Sequence, residues 1–133
     1  MEINRKIIFI ALFTLISCQN RRVLLDLREN IKSKECDVGD LLEYPKRYDS
    51  LYVEISGRIN DGYENTSFCQ QWPGNDECVW VDISSVGYMI NNYSHLSIDG
   101  ENVKIIGRFL DKPSGHLGRY KGEITDIKYI QIN

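Results

Sequence analysis

The sequence predicts an all-β domain with one or two short helices, and three observations predict it. Runs of alternating apolar and polar residues recur at 51–59, 79–83, 103–110 and 122–132, the period-two pattern of half-buried strands. Glycine stands inside two of those runs, at Gly57 and Gly107, where a strand accepts it for a sharp bend or a close backbone approach. Helical spacing is confined to short stretches.

The elements follow in order. Residues 19–34 place Val23, Leu24, Leu27 and Ile31 at loosely helical intervals, which fits a short amphipathic helix or a loose tether. Asp37 is a good N-cap for "VGDLLEY", and Asp40 stands where a carboxylate favours a helix start. Pro45 prevents continuation, so a helix is expected over 38–44. In "LYVEISGRI" (51–59), Leu51, Val53, Ile55, Gly57 and Ile59 alternate with Tyr52, Glu54, Ser56 and Arg58. A weaker strand is expected near Gly62 to Phe68. In "VWVDI" (79–83), Val79, Val81 and Ile83 should point inward, and Trp80 and Asp82 outward. A helix fits from about Ser85 to Asn92, then a fourth strand, "VKIIGRFL" (103–110). In the last run, "GEITDIKYIQI" (122–132), the alternation slips by one between Ile124 and Ile127, as a β-bulge would cause. Five strands with a helix between the third and fourth is the order of a small five-stranded OB-like barrel. A five-stranded sandwich and an SH3-like barrel are the alternatives.

At the N-terminus, Arg5 and Lys6 precede an uncharged run of ten residues, Ile7 to Ile16, apolar but for Thr14. That run has the length of a signal-peptide core and is short of the roughly 20 residues a membrane span needs. It ends in Leu15-Ile16-Ser17-Cys18, which resembles a bacterial lipoprotein lipobox. The resemblance implies a signal peptide over 1–17, cleavage before Cys18, and lipid (palmitate among the chains) on Cys18. Several acyl chains on one residue make anchoring nearly permanent, at roughly 0.8 kcal/mol per buried methylene. The expected organisation is then a lipidated basic tether over 18–35 and one OB-like domain over 36–133. It also implies an extracytoplasmic position at the cell membrane or the outer membrane, on the periplasmic side where the host has two membranes. By the same resemblance to lipoproteins, Gln19 in place of Asp implies outer-membrane sorting where the host has two membranes.

From Glu35 onward the chain carries nine Lys and Arg against sixteen Asp and Glu. An acidic body outside the cytoplasm argues against nucleic acid as the partner, because phosphate binding rests on Lys and Arg contacts. Besides Cys18 there are three cysteines, Cys36, Cys69 and Cys78. An oxidising compartment favours a disulfide. Cys69 and Cys78 bracket the loop "QQWPGNDE" and are the favoured pair; pairing of Cys36 with either one stays open. Zinc is the weaker reading, since Cys-x-x-Cys is lacking and the histidines are His95 and His116. No metal and no cofactor are expected.

A second resemblance covers roughly residues 40–131. Pro45 and Tyr48 lead into a strand with Gly57 near its end; Trp80-Val81-Asp82 forms another; Gly115-His116-Leu117-Gly118 and Gly122 precede an isoleucine-rich last strand. This pattern is similar to a group of small bacterial proteins without an established activity. It implies an OB-like barrel and carries no catalytic residues. The segment "SFCQQWPGNDEC" departs from the group's pattern.

Nucleophile, zinc-protease and phosphate-loop motifs are absent from the sequence, so the chain is read as non-enzymatic with no catalytic residue. Asp82 is read as an outward carboxylate. The stretch "DKPSGHLGRYKGEI" (111–124) joins the fourth and fifth strands and is longer than a plain turn requires. It gathers His116, Arg119, Tyr120 and Lys121 in an acidic domain. The loops between strands one and two and between four and five flank the binding face of OB-folds, so these four are candidate ligand contacts. The plainer role for His116 is a hydrogen bond that holds the loop closed. Trp72 joins the candidates as an aromatic ring able to stack on a sugar or a side chain; Tyr63, Trp80 and Tyr88 lie nearby in sequence. The function expected is a monomeric, lipid-anchored binding or adaptor domain for an envelope protein or glycan. An immunity-type or inhibitory lipoprotein is the second reading and an envelope hydrolase the third.

Overall fold

The computed structural model describes residues 21–62, 65–69, 77–84, 86–94 and 98–133. In chain order the elements are β1 (Arg22–Asp26), β2 (Lys34–Glu35), α1 (Val38–Glu43), α2 (Pro45–Tyr48), β3 (Tyr52–Gly62), β4 (Asn65–Cys69), β5 (Cys78–Val81), α3 (Gly87–Ser94), β6 (Asn102–Leu110) and β7 (Glu123–Ile132). A single tight turn, His116–Gly118, lies between β6 and β7.

Strands β3, β5, β6 and β7 match the four alternating runs, β4 is the weaker strand expected near Gly62 to Phe68, and the five close into a ring. β3 pairs antiparallel with β4 on one edge and β6 on the other; β4 pairs with β5. β7 runs antiparallel to β6 and parallel to β5. A parallel pair needs a long crossover, and the segment carrying α3 and β6 supplies it. The ring is uneven: the β5–β7 seam is the short Trp80–Glu123 and Val81–Ile124 register, against a ladder along most of β6 and β7. This is the all-β, OB-like ring the sequence predicts. Its inward side chains, among them Val53, Ile55, Phe68, Val81, Ile105 and Ile130, are fully buried.

The segment read as a short helix or loose tether is neither. Arg22–Asp26 is a strand, antiparallel to β7 with Arg22 opposite Ile132 and Asp26 opposite Tyr129. The physical reason is the shortness of β5, which covers only the first part of one β7 edge. β1 takes the remainder and satisfies backbone groups an open edge would leave unpaired. A register shift between Val23 and Leu25 lets Leu24 and Leu25 both bury. The sheet therefore begins well before residue 36, and β2 adds a short parallel pairing with β3.

Helix α1 starts as its residues dictate. The Asp37 carboxylate accepts from Asp40 N–H at 2.8 Å, and the Asp40 carboxylate accepts from Asp37 N–H at 3.2 Å, a reciprocal capping box. Pro45 ends that helix and opens α2 at its first position, where proline's missing N–H is harmless. α3 is set by Val86 and Ile90, which bury against the core.

The predicted bulge in the last strand is present. Ile106 faces Tyr129 and Arg108 faces Thr125, so residues 126–128 of β7 stand opposite Gly107. Asp126 takes a φ of 46° there. Its carboxylate accepts from Tyr52 Oη, lies 2.6 Å from Lys128 Nζ and 3.5 Å from Arg108 Nη2. Arg108 also donates to Tyr52 Oη at 3.2 Å. Lys128 first, then Tyr52, hold the Asp126 carboxyl below the usual aspartate range. The two strand glycines have different reasons. A Cβ on Gly107 would stand 2.6 Å from Ile124 Cγ2 and 3.0 Å from Thr125 O, whereas one on Gly57 would meet only Phe68, at 3.6 Å. Close approach requires the first glycine and not the second.

Candidate functional site: a basic pocket beneath the last loop

The loop from Asp111 to Gly122 is pinned to the barrel at several points. Asp111 N–H donates to Asp49 Oδ1 at 2.9 Å. Ser114 and Tyr120 exchange backbone hydrogen bonds of 3.0 and 3.1 Å, closing the loop on itself. The buried Ser114 hydroxyl donates to Glu123 Oε2 at 3.1 Å, and Lys112 Nζ pairs with the same carboxylate at 2.8 Å. Gly115 has φ 73°, and a Cβ there would fall 2.4 Å from Tyr120 and 2.7 Å from Trp80. Glycine therefore lets the backbone press against two rings. Those rings lie 5.4 Å apart at 52°, and Tyr120 Oη donates to Asn65 Oδ1. Tyr120 is thus held at both ends, by Trp80 of β5 and Asn65 of β4.

The fixed Tyr120 positions its neighbours. Arg119, Tyr120 and Lys121 line a pocket of about 260 Å³ together with Leu42 of α1, Glu77 and Cys78. Cys78 is disulfide-bonded to Cys69, the favoured pair, with Cα atoms 4.0 Å apart across β4 and β5. Lys121 Nζ pairs with Glu77 at 2.7 Å, which neutralises the acidic residue among the described lining. Arg119 is exposed and makes no ion pair or side-chain hydrogen bond among the described residues. The described lining therefore combines an exposed guanidinium, a braced aromatic ring, an aliphatic side chain and a disulfide. Such a set suits an anionic group attached to an apolar or ring-shaped body, with Arg119 as the fork that receives a carboxylate or phosphate. Among the described residues no nucleophile–base pair lines the pocket.

Of the residues singled out in sequence, Arg119, Tyr120 and Lys121 come together. His116 does not join them: it sits exposed at the loop tip beside Leu117, itself 76% exposed, and does not line the pocket. Nor does its side chain hold the loop closed; among the described residues it has no hydrogen-bond partner, and the tip turn is held by Gly118 N–H donating to Gly115 O. Trp72, Tyr63 and Cys18 lie outside the described residues. Tyr88 is 61% exposed on α3. Asp82 accepts from Ser84 N–H and Oγ at 3.1 and 2.5 Å and from Thr125 Oγ1 at 3.4 Å; it caps the turn after β5. Cys36 is free and half-buried, and burial, then Asp40, pushes its thiol up to about 12. Among the described residues no cluster of three or more His, Cys, Asp or Glu is placed to hold a metal ion, and no helix is long and apolar enough to cross a membrane.

Sequence reasoning missed Leu42, Glu77 and the bracing role of Trp80 and Asn65. Glu77 was legible in part, as the residue beside a disulfide cysteine. Leu42 carried no signal, since only the docking of α1 brings it near the loop.

Fold and site together define an OB-like barrel with a small basic pocket beneath its last loop. In comparison with known proteins, the chain matches no family model, no curated protein and no solved structure.

Proposed function

We propose that the protein is a non-enzymatic, lipid-anchored binding or adaptor domain of the cell envelope. Lipid on Cys18 holds it outside the cytoplasm, at the cell membrane or outer membrane, and it takes an envelope protein or glycan at the pocket beneath the 111–122 loop. The observation that carries this reading is the convergence of Arg119, Tyr120 and Lys121 on one pocket, with Tyr120 braced by Trp80 and Asn65. A plain connector does not require an exposed guanidinium set beside an aromatic side chain that is braced by two strands. Fixing the contact residues before the ligand arrives lowers the ordering cost of binding. The domain's negative charge elsewhere makes this cationic patch the place where an anionic group is best received.

In-cell photo-crosslinking tests the reading. A photoreactive amino acid is placed at Arg119 in the pocket, at His116 on the tip, and at Glu101 as a distant control, and products are read by mass spectrometry for peptide and sugar. A discrete product is expected from 119, less from 116 and none from 101. Equal yields from 119 and 101 would reject the pocket as the contact surface.

A further inference from the structure

The anchor and the pocket are tied to opposite ends of one strand. Only Gln19, Asn20 and Arg21 separate Cys18 from the first residue of β1. Whatever their conformation, those residues allow at most about 14 Å between Cys18 and Arg22. β1 is itself fixed, with Arg22 opposite Ile132 and Val23 opposite Gln131. The anchor therefore enters the sheet at the Ile132 end of β7. β6 begins at the same end, where Val103 faces Ile132 and Asn133 N–H donates to Asn102 O at 2.9 Å. The pocket lies at the other end of β7, where the 111–122 loop runs into Glu123 and Glu123 stands opposite Trp80. A strand from Glu123 to Ile132 spans about 30 Å.

The anchor end also carries side chains suited to a head-group layer. Val23, the second residue of β1, is 46% exposed. Arg21 and Arg22 are exposed and face anionic lipid favourably. Exposed Glu101 stands at the same end, so the short connection, and not net charge, sets the orientation.

We infer that the end of the barrel carrying the start of β1 lies against the bilayer head groups, and that the pocket is presented on the aqueous side, up to about 30 Å farther out. This rests on the lipid anchor proposed at Cys18, and it narrows the pocket's partner to one approached from water: a soluble or wall-borne molecule, not a lipid head group. A tether of 18–35 would have left the domain free to tumble; a strand starting at residue 22 does not.

The test uses the full lipidated chain from envelope fractions, reconstituted into phosphatidylcholine vesicles with some phosphatidylglycerol and a head-group spin label that quenches fluorescence. A small fluorescent amino acid is placed at Glu101 or at Leu117. Severalfold stronger quenching at 101 than at 117 is expected; equal quenching, or the reverse, overturns the orientation. A second variant inserts a Gly/Ser segment of about 20 residues between Asn20 and Arg21, enough for an end-to-end distance of roughly 25 Å. It should erase the difference; a difference that persists overturns the short connection as its cause. Intact mass and the Cys18→Ser variant separate the two failures. If the chain bears no lipid and Cys18→Ser binds vesicles equally well, the anchor reading fails and the inference falls with it. If lipid is present and quenching is uniform, the orientation alone fails.

Discussion

Asp126 combines a left-handed backbone angle with a carboxylate shared by Lys128, Tyr52 and Arg108. Asparagine tolerates the same backbone region, so Asp126→Asn removes the charge and keeps the bulge. The folded-state pKa is depressed, chiefly by Lys128. Its contribution is therefore present at neutral pH, above the unfolded aspartate value, and is lost as pH falls through the lower folded value. The carboxylate is 39% exposed, so solvent screening limits the cost of Asp126→Asn to about 0.5–1 kcal/mol at pH 7. Urea denaturation of both forms should show that gap closing as the pH drops below the ordinary carboxylate range of about 4. A gap unchanged at acid pH would mean that the ion pairs are not its origin. The same lesson in local chemistry holds at Gly115, where two rings occupy the space a side chain would need.

At the scale of elements, the runs around Gly57 and Gly107 look alike in sequence and are not alike in the barrel. Gly107 faces the β7 bulge and touches Ile124 and Thr125; Gly57 has room before Phe68. Gly107→Ala should destabilise the domain by about 1–3 kcal/mol, since an added methyl must displace backbone as well as side chain. Gly57→Ala should cost under about 0.5 kcal/mol, offset by reduced freedom in the unfolded chain. Chemical denaturation of the two variants side by side decides this, and equal losses would reject the steric account. The bulge thus acts as a joint between two elements: it re-aims β7, and Gly107 is the partner position that accommodates it.

For the whole molecule, β1 is the element that changes the outline. It completes the β7 edge that short β5 leaves uncovered and buries Leu24 and Leu25. A chain beginning at Cys36, the boundary the sequence suggests, loses β1 and β2. It should be less stable than one beginning at Arg21 by about 3 kcal/mol or more, at roughly 1.5–3 kcal/mol for each buried leucine. Comparing urea midpoints of the two chains measures this, and equal midpoints would show β1 to be an accessory. The same strand shortens the link to the proposed anchor, so one pairing bears on both stability and presentation of the pocket.

By itself the sequence determined what depends on neighbours along the chain. The period-two runs marked four of the ring's five strands, with β4 only weakly legible, Asp37 and Asp40 marked the start of α1, and the slip between Ile124 and Ile127 marked the bulge. The basic cluster 119–121 was legible as a contact candidate because its charge stands out against an acidic body. Tertiary structure alone decided which of the loop's residues converge, that Leu42 and Glu77 complete the lining, and that His116 stands apart. It also decided that Val23, Leu24 and Leu27, spaced like a weak helix, belong to or flank an edge strand. The physical reason is common to these cases. Capping and alternation are short-range preferences written into consecutive residues, whereas an open strand edge and a pocket wall arise from segments distant in sequence, and only their pairing supplies the energy that overrides local propensity.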